Sequence, residues 1–299
     1  MLKSVIKRLL SPNHLWRAAR ASKKTAKVPR STEDPQLKLY DAILQTDFLH
    51  YGYFNDPETP PDKISLYDIR QAQIRYAELI IEQLIHEKGK VLDVGCGMGG
   101  LIGMLLSKGH ETVGITPDRH QVNYIQEKYP AAKLIKAKFQ NMKTDDYENF
   151  FDSIIHSESL QYIKLDKAIE NVLKMLKNHG RWIVVDYFRF TDAHEKSGHL
   201  WEEFEEKLTN NNFKIVHKKD ITPNIMPTLA YIYMWGNQIG KPVFEFLISK
   251  LARKHPGKHY ILDEAIGKLN YKIEHNLNIV NPEIFCRDKK YILTSIERA

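Results

Sequence analysis

Val91-Leu92-Asp93-Val94-Gly95-Cys96-Gly97-Met98-Gly99-Gly100 runs from apolar residues into an acid, then alternates glycines with other residues before apolar text resumes at Leu101. Such a text reads as a buried strand, a tight turn and a helix. Glycines let the backbone approach a ligand closely, and the helix that follows offers free N–H groups at its start. Gly95, Gly97 and Gly100 also fit the dinucleotide pattern G-x-G-x-x-G, so the glycines alone leave two classes of nucleotide-like ligand open. Asp93 begins to separate them, because a carboxylate at the strand tip repels a pyrophosphate and attracts a cation.

Glu111-Thr112-Val113-Gly114-Ile115-Thr116 reads as a second strand, and Pro117-Asp118-Arg119-His120-Gln121 opens a helix that runs to about Tyr129. A dinucleotide enzyme carries an acid at the end of that strand, about 20 residues after the glycines, to hold a ribose hydroxyl. Thr116 stands there instead. In its first motif the chain resembles the class I S-adenosylmethionine-dependent methyltransferases, whose donor carries the sulfonium and ammonium that suit Asp93. Gly114-Ile115-Thr116 followed five residues later by Gln121 resembles the branch of tocopherol, sterol and cyclopropane-fatty-acid methyltransferases. The resemblance spans roughly residues 47–190 and the last strand. It implies S-adenosyl-L-methionine as cofactor, held by Asp93, Gly95, Cys96, Gly97, Gly99, Thr116 and Gln121. At the adenine end the family usually has an acid after the third strand. Here Lys138-Phe139-Gln140-Asn141 leaves Phe139 to pack on the base and Gln140 to replace the acid's hydrogen bond.

Ligands of open α/β sheets bind at the carboxyl ends of the strands, which directs attention to His156-Ser157-Glu158-Ser159-Leu160-Gln161-Tyr162 after the fourth strand. Ser157-Glu158-Ser159 resembles the corresponding segment of the tocopherol and sterol enzymes, where a Glu-Ser pair follows the strand, and the resemblance implies Ser157 as a donor contact. Glu158 is the first choice for the acceptor side, as a base or as a carboxylate that stabilises a developing cation; the alternative is a helix-start acid. Leu49-His50-Tyr51-Gly52-Tyr53-Phe54 resembles the segment with which that branch closes over its donor. It makes His50 and Tyr51 catalytic candidates and Tyr53 a donor contact through its ring face. Cyclopropane-forming relatives hold a bicarbonate with a Cys, a Glu and a His where this chain has Tyr51, Gln161 and Tyr162, which disfavours that chemistry.

Strands are also read at Lys133 to Ala137, Phe150 to His156, Gly180 to Tyr187, Phe213 to Lys219 and Lys289 to Ile296, with helices at Asp68 to Glu87 and Leu165 to Leu176. This alternation predicts an α/β fold, a Rossmann-like seven-stranded, mostly parallel sheet with helices on both faces. About 65 residues of helical text before the last strand are too long for a plain loop. The division is then an arm over 1–33, a helical or lid segment over 34–88, a core over 89–221, a helical cap over 222–285 and a last strand over 286–299. Met226, Leu229, Tyr231, Tyr233, Met234, Trp235, Phe244 and Phe246 read as core or pocket of that cap, and an apolar cap favours an apolar acceptor.

Two cysteines and scattered histidines offer neither a disulfide framework nor metal spacing, so no metal is expected and nothing calls for an oxidising compartment. Residues 1–30 hold nine cations and no acid, so the chain's net +7 leaves −2 for the other 269 residues. A nucleic-acid-binding core is therefore not supported. Leu2, Val5, Ile6, Leu9 and Leu10 share a helical face opposite Lys3, Lys7 and Arg8. A membrane-surface anchor, a targeting segment, and a lid or oligomer contact remain open readings of this arm. No run approaches the ~18 apolar residues of a membrane span. The expectation is a cytoplasmic methyltransferase, peripheral at a membrane if the arm is an anchor, that acts on carbon of an isoprenoid or lipid-like small molecule. N- or O-methylation, or a binding module that has kept the fold without the chemistry, are the alternatives.

Overall fold

The computed structural model describes residues 45–191 and 197–299, with isolated positions between 11 and 43. The chain divides into Met1–Gln45 and Thr46–Ala299, and the sheet and candidate site lie wholly in the second unit. The amphipathic arm read over 1–33 falls outside the described residues apart from those isolated positions.

Helix α1 (Leu66–Ile81) starts where Ser65 and Asp68 form a capping box: the Ser65 hydroxyl accepts the Asp68 N–H, and the Asp68 carboxylate accepts the Ser65 N–H at 2.9 Å. Ile69, Gln73, Tyr76 and Ile80 recur at helical spacing and form its buried stripe. The helix ends before the predicted Glu87. Arg181 Nη1 donates to the Gln83 carbonyl at 2.8 Å and Ser295 Oγ donates to Gln83 Oε1 at 3.1 Å, so tertiary bonds capture the residue that would have carried the next turn.

Then follow β1 (Lys90–Val94), α2 (Gly100–Ser107), β2 (Glu111–Thr116), α3 (Arg119–Lys128), β3 (Lys133–Lys136), β4 (Phe151–Ser157), α4 (Leu165–Met175) and β5 (Leu176–Arg189). A two-residue β6 (His199–Leu200) leads into α5 (Trp201–Asn210) and β7 (Phe213–Asp220). Four helices, α6 (Thr222–Trp235), α7 (Lys241–Lys254), α8 (Pro256–Ile279) and α9 (Pro282–Asp288), precede β8 (Lys289–Arg298). The sheet order is β3-β2-β1-β4-β5-β8-β7, with β6 against β5. β8 runs antiparallel to β5 and β7, and the other pairs are parallel. This is the predicted architecture with one short strand added.

Strands covered on both faces read as continuous apolar runs, and the register assigns each residue its face. Leu92, Ile154, Trp182 and Ile296 are successive partners across the sheet and belong to one core. Val91, Ile155, Ile183 and Leu293 belong to the other, with Tyr76 and Ile80 of α1. Side chains alternate along a strand, so Asp93 shares the face of Val91. The chain order reverses between β1 and β4, the switch point at which open sheets bind their ligands.

Candidate active site

β1 delivers Asp93 to this switch point. Its side chain is 2% exposed, its Oδ2 has no hydrogen-bond partner, and burial pushes its pKa up to about 7. An unpaired buried carboxylate is costly, and a cationic ligand would relieve that cost. The turn beyond it needs its glycines. Gly95 sits at φ +77°, where a Cβ would lie 2.7 Å from Ser159 Cβ, and Gly99 sits at φ +86° as the N-cap of α2. Cys96 contributes backbone only: its thiol packs among Ile102, Ile125 and Ala132, and burial pushes its pKa well up.

Beside the turn a cavity of about 260 Å³ is lined by Gly95, Ile115, Pro117, Lys138, Phe139, Gln140, Ser159 and Tyr162, among others. Phe139 is held edge-on to His156 at 5.0 Å, and its carbonyl accepts from Asn171 Nδ2 at 2.7 Å. Thr116 and Gln121 meet. The Thr116 hydroxyl donates to Gln121 Oε1 at 2.5 Å, which turns the Gln121 NH₂ into the remaining donor. The pair thus presents an N–H donor beside the end of β2. Asp118 caps α3 by accepting from the N–H groups of His120 and Gln121, which fixes Gln121 at the end of β2.

A strap, residues 46–54, crosses the glycine turn. Asp47 accepts from the Tyr124 hydroxyl at 2.7 Å, the Lys128 ammonium at 2.7 Å and the Tyr129 hydroxyl at 2.6 Å. Burial opposes ionisation of Asp47, but these donors hold its carboxyl below the usual range. The Asp47 carbonyl accepts the Gly100 N–H, Gln73 Nε2 donates to the His50 carbonyl at 2.7 Å, and Gly52 bonds to Thr228 on α6. Charge-assisted bonds contribute about 1.5–3 kcal/mol each. Asp47→Ala is therefore expected to weaken S-adenosylhomocysteine binding by about tenfold or more and to open the strap to limited proteolysis; unchanged affinity would show that the strap does not cover the donor.

Glu158 follows β4 in the left-handed region, φ +49°, a strained conformation for a residue other than glycine. Its Oε1 accepts the Tyr51 N–H at 3.0 Å, a bond across to the strap rather than a local helix cap. Burial raises its pKa to about 7 against the easing effect of the Tyr291 hydroxyl and the Tyr51 N–H. Tyr291 stands edge-on to both Tyr51 and Tyr76 at 6.4 Å. His50 Nδ1 donates to the Tyr51 carbonyl at 2.7 Å and the ring stacks on Tyr76 at 4.1 Å, which leaves Nε2 buried without a partner. Burial pulls this imidazole down to about 4, so it is neutral at physiological pH.

Two of the residues expected at the donor lie outside the cavity lining. Tyr53 is buried in the core and its hydroxyl accepts from Lys219 Nζ at 3.1 Å, away from the cavity. Ser157 turns its hydroxyl to Tyr76 at 3.4 Å, and Ser159 lines the cavity in its place. Asp186 was missed. Its carboxylate accepts the Gln161 N–H at 3.1 Å, and burial, reinforced by Glu158, raises its pKa to about 8. Ile183-Val184-Val185-Asp186 repeats the pattern of apolar run then acid seen at Asp93, and that repeat was the available signal.

A family model described as a methyltransferase domain matches residues 92–184, from the strand that carries Asp93 to the middle of β5. The chain is 25% identical over 256 residues to an O-methyltransferase of Pyrenophora dematioidea, covering 77% of this chain and 94% of that protein. It is 26% identical over 258 residues to a sterol 24-C-methyltransferase of Pneumocystis carinii, covering 76% and 67%. In fold it is similar to geranyl diphosphate C-methyltransferase of Streptomyces coelicolor, solved with S-adenosyl-L-homocysteine: the TM-score is 0.63 at 16% identity, covering 91% and 94%. The orphaned Asp93 carboxylate, the glycine cradle and the adjoining cavity fit a cationic nucleoside, and with these matches the chain, whose residues 92–184 form a methyltransferase domain, is an S-adenosylmethionine-dependent methyltransferase with S-adenosylmethionine as its methyl donor.

Proposed function

We propose that this enzyme methylates carbon of an apolar small molecule, isoprenoid or lipid-like. One observation carries the reading: a carboxyl group held near neutrality in a strained turn, among the rings of Tyr51, Tyr76 and Tyr291. When bound, S-adenosylmethionine supplies an electrophilic methyl carbon. On the protein's side Asp93 and the glycine turn hold the donor, Phe139 and Gln140 take its adenine end, and Gln121 offers a donor to its ribose. Glu158 stabilises positive charge at an acceptor carbon and accepts the proton which that carbon sheds. The aromatic faces attract the same charge and exclude water. The relatives named for a sterol and for geranyl diphosphate agree with an apolar acceptor.

Methylation of a hydroxyl is the second reading. His50 favours it, since a neutral ring with a bare Nε2 is suited to take a hydroxyl proton. Incubation of the enzyme with an isotope-labelled methyl donor and a lipid extract separates the two. The expected product is an apolar molecule whose labelled methyl resonates as carbon-bound by NMR. An oxygen-bound methyl moves the base to His50, and label confined to water-soluble products overturns the acceptor class.

A further inference from the structure

Among the apolar residues read as cap core or pocket, Leu229 is fully buried, whereas Trp235 and Phe246 are 46% and 62% exposed. The helices that follow α6 explain the split. α7 contributes no buried residue and α8 only Leu277. Phe244, Ile248 and Leu251 of α7, spaced as one helical stripe, are half-buried, as are Ile266 and Ile273 of α8. These residues form a single seam between the two helices. The Lys241–Glu274 ion pair at 2.5 Å closes it at the end near α6.

Beyond that pair, on the outer side of the hairpin, apolar and cationic side chains are both left outside. Phe246, Leu247, Tyr260 and Ile261 are 62, 54, 84 and 71% exposed. From Phe246 to Leu262 there are four cations, Lys250, Arg253, Lys254 and Lys258, and no acid, with Glu245, Asp263 and Glu264 flanking the stretch and Glu264 paired with Lys268. Lys250 lies over the Phe246 ring at 5.7 Å, so the two kinds of group share one surface. A contiguous exposed apolar surface rimmed by charge marks an interaction site. A purely polar partner leaves the aromatic and aliphatic side chains in water, and a second copy of this surface brings its four cations against their like. A bilayer surface with anionic headgroups satisfies both, the rings and aliphatic chains entering the acyl boundary while the lysines meet the headgroups.

We propose that the outer side of the α7–α8 hairpin, from Phe246 to Leu262, docks on an anionic lipid surface. The contact needs no spanning segment, and no described helix is long and apolar enough to cross a membrane. It is separate from any contact made by residues 1–30 and does not depend on the identity of the acceptor. A surface-seated enzyme would meet apolar molecules in the phase where they concentrate.

Vesicle sedimentation of the full chain tests this, with Phe246→Ser/Ile261→Ser and Lys250→Glu/Lys254→Glu variants that keep the basic arm. All four side chains are exposed, and retained affinity for S-adenosylhomocysteine checks folding. The wild type is expected to sediment with phosphatidylcholine–phosphatidylserine vesicles, to be released by salt, and to ignore phosphatidylcholine alone. Each double variant is expected to bind about tenfold more weakly or worse. Binding by both variants as tight as wild type assigns the contact to the arm, and failure of the wild type to bind removes the contact altogether. If Phe246→Ser/Ile261→Ser instead turns a dimer into a monomer while vesicle binding stays the same, the surface belongs to a second copy. Any of these three results overturns the proposal.

Discussion

Glu158→Gln is expected to lower turnover by about 10²–10⁴-fold, the range for a lost acid–base group, while affinity for S-adenosylmethionine changes little. The amide preserves the shape and still accepts the Tyr51 N–H that anchors Oε1, so the strap stays in place and only the charge is removed. With a carboxyl pKa raised to about 7 by burial, the wild-type rate should climb as pH rises through that value, because the carboxylate is the active form. The variant should lose this limb of the profile. Steady-state kinetics at saturating donor, with calorimetry for affinity, distinguish the cases: weak donor binding would place Glu158 on the donor side, and near-normal turnover would leave it a structural turn residue.

Much of this arrangement was legible in the sequence because buried parallel strands and glycine turns leave periodic, local marks. The alternation of strands and helices along the chain and the Thr116–Gln121 pair are marked by neighbours close in the chain, and Thr116 and Gln121 do meet. What the sequence hid depends on distant partners. Asp47 is an ordinary surface acid until α3 brings Tyr124, Lys128 and Tyr129 to it. Tyr53 looked like an aromatic donor contact, but the fold delivers Lys219 to its hydroxyl. Apolar letters in 222–285 could not distinguish core from surface, since a helical hairpin with one internal seam leaves Phe246 outside and a helix against the sheet buries Leu229. Alternation fixes which way a strand residue points, but nothing comparable predicts where a lone helix pair will rest.

Asp93→Asn is expected to weaken donor binding by about 30-fold or more, since removing one partner of a buried charge pair costs about 2–5 kcal/mol. The free protein should lose no stability and should gain some above neutral pH. The sign follows from the raised pKa. A carboxyl whose pKa is lifted from 3.8 to about 7 by burial is penalised when ionised, so the folded state is progressively destabilised as pH rises between those values and the deficit is constant above. A bound cation reverses this, and wild-type donor affinity should therefore rise with pH through about 7 and then level until the donor's own ammonium titrates. The variant should show neither limb. Thermal unfolding with and without S-adenosylhomocysteine across pH measures both effects, and a variant that keeps the wild-type ligand-induced stabilisation would dissociate Asp93 from the donor.

The division of labour between these two acids is decided most directly by a crystal structure of the enzyme with S-adenosylhomocysteine. The adenine is expected against Phe139 in the cavity beside Ile115 and Pro117, with the homocysteinyl amine at Asp93 and Glu158 left to the side from which an acceptor enters. Density that places the homocysteinyl amine on Glu158, or the nucleoside away from the glycine turn, would contradict the assignment.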